Sequence, residues 1–227
     1  MEERKHIVIL AAGDFPTHEV PLRALREADF VVCCDSAYRQ WSVVSGQWPV
    51  EKPFVVIGDG DSLSEEAKLA LGPRWLQVDE QDYNDLHKAM DYATSSLITH
   101  HSSLITILGA TGKREDHTLG NISYLATFAE EHPGADIEML TDHGRFVAMR
   151  GGRTYAGFPG QQVSIFAMDP AIAICSEGLR WPLDNFHARR WWQASLNEVL
   201  GESFTLTAED WIVVFQTYSP KPIPASV

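Results

Sequence analysis

Short apolar runs at 6–12, 30–35, 54–58, 75–78, 104–109 and 137–140 read as strands. Several are apolar throughout, the pattern of strands covered on both faces. Helix-like stretches separate them. One, at 21–28, has Pro21 as its first residue, and another, at 65–71, is capped by Ser64 and closed by Gly72-Pro73. Two more run over 85–96, capped by Asn84, and over 118–131, closed by His132-Pro133-Gly134. This alternation predicts an α/β unit, an open, mainly parallel sheet flanked by helices. Near Asp142 the pattern changes. Strand candidates at 146–149, 163–167, 171–175, 203–206 and 211–217 follow, with turn signals at Gly151-Gly152, Phe158-Pro159-Gly160, Asp169-Pro170 and Glu177-Gly178. They predict a smaller all-β sandwich, so that 1–141 and 142–227 form two domains. Pro220, Pro222 and Pro224 predict an extended arm after it.

Charge narrows the partners. The 227 residues carry 18 Lys+Arg against 31 Asp+Glu, a net charge of −13. A nucleic-acid backbone or an anionic membrane calls for a basic surface, so neither is an expected partner. One phosphorylated small molecule remains compatible. No apolar run approaches a membrane span, and Ile7–Leu10 is too short for a signal-peptide core. Cys33, Cys34 and Cys175 are odd in number and lack zinc spacing; they read as reduced, partly buried thiols of a cytoplasmic protein.

The candidate chemistry lies at the carboxyl ends of the predicted strands, where open α/β sheets bind ligands. Gly13-Asp14, Asp35-Ser36-Ala37, Gly58-Asp59-Gly60-Asp61-Ser62, Gln81-Asp82-Tyr83-Asn84-Asp85 and Gly109 to His117 follow successive strands. Paired carboxylates such as Asp59 and Asp61 are stable together when a cation sits between them, and Mg²⁺ takes oxygen ligands while holding substrate phosphates. Asp85 is a further candidate ligand. The Gly109–Asp116 loop opens a helix, so its N–H groups can cradle phosphate beside Lys113, Arg114 and His117. Each piece also has a plainer reading. Asp85 and Lys88 form an ordinary i,i+3 surface pair, and Asp116 is a carboxylate at a helix start. His100-His101 reads as solvated, and Trp181, Trp191 and Trp192 as core or interface packing ahead of a flat wall for a ring. It is the convergence of acidic and glycine-rich loops on one edge that favours phosphoryl transfer.

In order and spacing, these motifs resemble the thiamine pyrophosphokinase (thiamine diphosphokinase) family. Downstream, Gly178-Leu179-Arg180-Trp181-Pro182-Leu183 and Ser195-Leu196-Asn197 are similar to the family's pattern in its C-terminal β domain. The resemblance implies an α/β catalytic domain, a β-sandwich that binds thiamine and dimerises, and a homodimer. It implies transfer of the pyrophosphoryl group of ATP to thiamine with Mg²⁺, giving thiamine diphosphate and AMP. Asp59, Asp61 and Asp85 would be metal and catalytic carboxylates, with Arg114 also catalytic. Asp35, Ser36, Lys88, Gly109, Thr111, Arg114, Asp116 and His117 would surround ATP. Gln81, Asp85, Ser195 and Asn197 would face thiamine. Ser36 stands where the family often has glycine, and Lys113 where a small residue is frequent.

Two rival readings start from the same residues. A metal-dependent nucleotide-sugar transferase would use the Asp59-x-Asp61 pair but leaves the Gly109–His117 loop without a task. A non-catalytic nucleotide sensor has no need of carboxylates beside a phosphate site.

Overall fold

The computed structural model describes residues 4–46, 52–97 and 103–220. The chain divides into two compact units, Met1–Asp142 and His143–Val227. His100-His101 and the segment after Pro220 lie outside the described residues.

The first unit contains β1 (Lys5–Leu10), β2 (Phe30–Cys34), β3 (Phe54–Gly58), β4 (Trp75–Gln77), β5 (Ser103–Leu108) and β6 (Ala135–Leu140). Their pairings with one another are parallel, in the order β6-β5-β1-β2-β3-β4. The chain builds outward from β1 in one direction and then crosses back to β5. The change of direction opens a crevice between the carboxyl ends of β1 and β5, and right-handed crossovers then put helices on both faces. Ile7, Ile9, Val31, Val56, Ile105 and Ile107 are fully buried, as such a sheet requires.

The helices are α1 (Glu19–Glu27), α2 (Tyr38–Ser45), α3 (Glu65–Leu71), α4 (Asp85–Tyr92) and α5 (Glu115–Glu131). Ser64 and Asn84 cap α3 and α4 as expected, accepting from Ala67 and His87 N–H. Four details differ from the sequence reading. Helix α1 starts at Glu19, capped by His18, so Pro21 is its third residue and not its first. The pattern did not predict α2; buried Trp41 forms it by packing edge-on against Phe54 at 5.7 Å. Helix α4 stops at Tyr92 and continues as a π-turn, Ala93–Leu97. There the Thr94 and Ser95 hydroxyls donate to the Met90 and Asp91 carbonyls at 2.9 and 2.6 Å, in competition with the amide ladder. Helix α5 starts at Glu115 rather than Thr118, with Arg114 as an extended N-cap residue.

The second unit is antiparallel. It holds β7 (Gly144–Ala156), β8 (Gln161–Ala167), β9 (Ala173–Glu177), β10 (Phe186–His187), β11 (Asn197–Glu198) and β12 (Ser203–Pro220). Strand β12 follows β7 along its length; its other edge pairs first with β9 and then with β8. Gly151-Gly152 is therefore not a turn, and 203–206 and 211–217 are one strand. The register shifts between Ala208 and Ile212, opposite Gly151, and a bulge there bends both strands without ending them. Arg150 lies over the Trp211 ring at 5.1 Å on the bend. The two arms so formed enclose one core, with Val147, Tyr155, Ile165, Ile174, Phe204, Leu206 and Val214 among its members.

Candidate active site

Asp35 follows β2 directly and is buried, opening a short 3-10 turn. Its Oδ2 accepts from Gly60 N–H at 3.1 Å and Ser62 N–H at 3.4 Å, so the neighbouring strand's acidic turn wraps around it. Gly58 permits this approach: a Cβ there would stand 2.6 Å from the Asp35 Cβ. Carboxylate oxygens of Asp35, Asp59 and Asp61 all lie within 4.8 Å of one another. The second oxygen of Asp35 is buried without a hydrogen-bond partner. Three converging hard donors, one of them orphaned, fit a small divalent cation such as Mg²⁺. Arg39 on α2 donates to the Ser62 carbonyl at 2.9 Å and ties the turn from outside. Asp59 is held below the usual carboxylate range, chiefly by the Asp61 N–H and also by Gln81, whose Nε2 donates to Oδ2 at 3.4 Å.

It is Asp35 that completes this group of three, while Asp85 stands beside it. Burial pushes the Asp85 carboxyl up, Lys88 pulls it back, and Asp59 and Asp35 raise it further. The Lys88 Nζ lies 3.5 Å from Asp85 Oδ1. Its side chain is only 5% exposed, against 34% for Asp85, so the pair is not the surface pair that the i,i+3 spacing suggests. Burial first, then the Asp85 and Asp35 carboxylates, push the Cys34 thiol up. Cys33 and Cys34 are buried free thiols, but Cys175 is exposed rather than partly buried.

The Gly109–Gly112 loop joins the end of β5 to the end of β1. Gly13 and Asp14 N–H donate to the Gly109 and Thr111 carbonyls at 2.6 and 2.9 Å. Gly109 and Gly112 have φ of 62° and 78°, and a Cβ on Gly109 would meet the Ala11 carbonyl at 2.7 Å. Lys113 shares the left-handed conformation (φ 56°), and its Nζ donates to the Ala12 carbonyl at 2.6 Å. A positive φ favours glycine, so a side chain at this position is strained, and the bond to Ala12 helps to hold the lysine there. Its ammonium is thereby committed to the backbone. Arg114, Asp116 and His117 are exposed at the start of α5. Arg114 Nε donates to Asp116 Oδ1 at 3.1 Å, and that bond holds the Asp116 carboxyl down to about 2. The first-turn N–H groups of α5 give this end a partial positive charge, which Glu115 and the Arg114-paired Asp116 share.

In the second unit, Asn197 is buried. Its amide accepts from Trp181 N–H at 3.1 Å and donates to the Trp181 carbonyl at 2.7 Å, gripping that residue on both sides. Ser195 Oγ donates to the Trp192 carbonyl at 2.7 Å. Trp181, Trp191 and Trp192 are 55%, 48% and 72% exposed, so core packing does not explain them. Sequence reasoning missed Asn121, a buried amide joining α4 to the glycine loop. Its signal was a polar residue on the inner face of an otherwise apolar helix stretch.

The buried Asp35 carries a pH signature. Desolvation raises its carboxyl above the usual range. A carboxyl raised in the folded state contributes stability that is complete below its unfolded value, about 4, and is lost as pH rises through the folded value. Without divalent metal, Asp35→Asn should therefore melt about 2–4 °C higher than the parent at pH 7, the effect of roughly 1 kcal/mol. The gain should vanish as pH falls towards 4. Thermal melts at both pH values check this, and an equal or lower melting point at pH 7 refutes it.

A family sequence model described as "Thiamin pyrophosphokinase, catalytic domain" matches residues 22–138. A second, "Thiamin pyrophosphokinase, substrate-binding domain", matches residues 144–215. Thiamine pyrophosphokinase 3 of Oryza sativa subsp. japonica is 34% identical over 146 residues, 59% of this chain and 53% of the relative. Thiamine pyrophosphokinase 2 of Arabidopsis thaliana is 28% identical over 151 residues, 61% of this chain and 55% of the relative. The chain spans about half the length of the curated relatives it matches. Among solved structures, the thiamin pyrophosphokinase from Candida albicans aligns with a TM-score of 0.74 at 18% identity, covering 95% of this chain and 90% of that one. The yeast thiamin pyrophosphokinase gives 0.76 at 17% identity, covering 96% and 87%. These likenesses show the fold, an α/β unit followed by a β-sandwich. The catalytic-domain match alone spans more than half of the residues, and the chain belongs to the thiamin pyrophosphokinase family.

Proposed function

We propose that this chain transfers the pyrophosphoryl group of ATP to thiamine, giving thiamine diphosphate and AMP. The observation that carries the reading is the cluster of Asp35, Asp59 and Asp61, with one orphaned oxygen, at the carboxyl edge of a family-matched sheet. In this reading Asp35, Asp59 and Asp61 would hold Mg²⁺, with Asp85 beside them; the bound ion supplies Lewis-acid neutralisation of phosphate oxygens. The thiamine hydroxyl oxygen attacks the β-phosphorus in line, and the bond from that phosphorus to the bridging oxygen of AMP breaks. Asp85 orients the hydroxyl and takes its proton; its raised carboxyl makes it a stronger base than a surface aspartate. Lys88, Arg114 and the Gly109–Gly112 loop, with Ser36, Thr111, Asp116 and His117 around them, bind the nucleotide and meet the charge growing on the phosphates. Gln81, Ser195 and Asn197 serve the thiamine side, Asn197 by fixing the exposed Trp181.

The exposed tryptophans also support a homodimer, because exposed aromatic side chains are enriched at protein contact surfaces. The buried free thiols support a reducing compartment such as the cytoplasm. The test is AMP formation by the purified chain from ATP and Mg²⁺, with and without thiamine. Thiamine-dependent AMP is the expected result. Turnover only with sugar nucleotides, or binding of ATP with no turnover, would sink the reading.

A further inference from the structure

Two elements carry the proposed phosphate chemistry: the first turn of α4, with Asp85 and Lys88, and the Gly109–Gly112 loop. One buried side chain connects them. Asn121 is 7% exposed and lies on the second turn of α5. Its Nδ2 donates to the Ala110 carbonyl at 2.8 Å, inside the loop. Its Oδ1 accepts from Asn84 Nδ2 at 3.0 Å. Asn84 is the N-cap of α4, and its own Oδ1 accepts from His87 N–H at 3.1 Å. A single amide thus reads the loop with its donor and the helix cap with its acceptor. The Tyr124 hydroxyl, one turn further along α5, also engages the Asn84 backbone.

The two helices have a separate means of adhesion. His87 on α4 packs against Tyr124 and Phe128 on α5, each at 5.6 Å between ring centroids. These apolar contacts tolerate sliding; the hydrogen-bonded chain Ala110–Asn121–Asn84 does not, because its bonds weaken steeply off line. Adhesion between α4 and α5 rests mainly on these rings, whereas the tie from the helix cap to the glycine loop runs through Asn121. We propose that Asn121 is a positioning residue for the reaction, setting Asp85 and Lys88 against the glycine loop. This rests on the activity proposed above.

Displacements of about 1 Å can cost about 10²-fold in rate. Asn121→Ala should lower kcat/KM for ATP by about that factor, with both a lower kcat and a higher KM for ATP. The KM for thiamine should stay within about twofold of the parent, a split that general loosening of the fold would not produce. Assays run well below the melting point of each variant separate this from lost stability. Where Asn121→Ala does not fold, Asn121→Asp serves: it keeps the acceptor for Asn84 but turns a carboxylate towards the Ala110 carbonyl. A folded variant with unchanged kcat and KM for ATP, whatever its melting point, overturns the proposal. If the parent forms no AMP with thiamine, the activity reading fails separately. Calorimetric Mg·ATP affinity then decides the positioning role: about tenfold weaker binding by the variant supports it, and equal binding overturns it.

Discussion

Asp59→Asn and Asp61→Asn are each expected to cut thiamine-dependent AMP formation by about 10³-fold while leaving the fold intact. Each replaces an anionic oxygen donor with a weak neutral one, in a group where only three carboxylates converge among the described residues. The fold has little to lose. Asp61 is exposed and Asp59 only half-buried, and removing either charge relieves repulsion on the buried Asp35. Circular dichroism and melting points should therefore match the parent or improve slightly. Turnover at saturating Mg²⁺ is the deciding measurement, and rates within about tenfold of the parent for both variants would remove the metal role.

Lys88→Met should cost about 10²-fold in activity, mostly as a raised KM for ATP, and should also destabilise the protein. Its ammonium lies at the edge of the acidic group and eases both Asp85 and Asp59. Methionine keeps the length and the packing but leaves the Asp85 carboxylate facing Asp59 and Asp35 alone. Breaking a fully buried pair costs about 3–5 kcal/mol; Asp85 keeps 34% of its side-chain surface, so about 1–3 kcal/mol is expected. The sign with pH follows. The Asp85 carboxyl, already raised, rises further, so the variant's deficit should be largest near neutral pH and shrink below about 4, where the carboxyl is protonated in both states. Adding Asp85→Asn should restore the melting point at pH 7 without restoring activity. A Lys88→Met protein with parental KM and kcat would reduce Lys88 to a structural pair.

Periodicity and punctuation revealed the parallel sheet because its strands are covered on both faces and its loops carry strong turn chemistry. The acidic turn, the glycine loop and the caps at Ser64 and Asn84 were legible for the same reason: each is a local signal. What escaped is what neighbours in space decide. That Asp35 joins Asp59 and Asp61 depends on β2 lying beside β3 and on Gly58 leaving room for it, neither visible in spacing. Helix α2 has no side-chain cap, and it forms because Trp41 finds a slot against Phe54. In the second unit the Gly151-Gly152 pair looked like a turn; a bulge across from it absorbs the bend within continuous strands. The burial of Lys88 was not legible, because helical spacing is silent on burial.

The shared strand of the second unit has a consequence for biosynthesis. Strand β12 pairs with β7, β8 and β9, so the ladders that unite both arms all wait for residues 203–220. While a ribosome is still making them, the edges of β7, β8 and β9 that β12 will take stand open, the state in which nascent chains associate wrongly. The first unit needs nothing beyond Asp142 to close its own parallel ladders. Its parallel ladders are therefore complete first, and the interval before β12 clears the exit tunnel is when the second unit's edges are most open to wrong pairing.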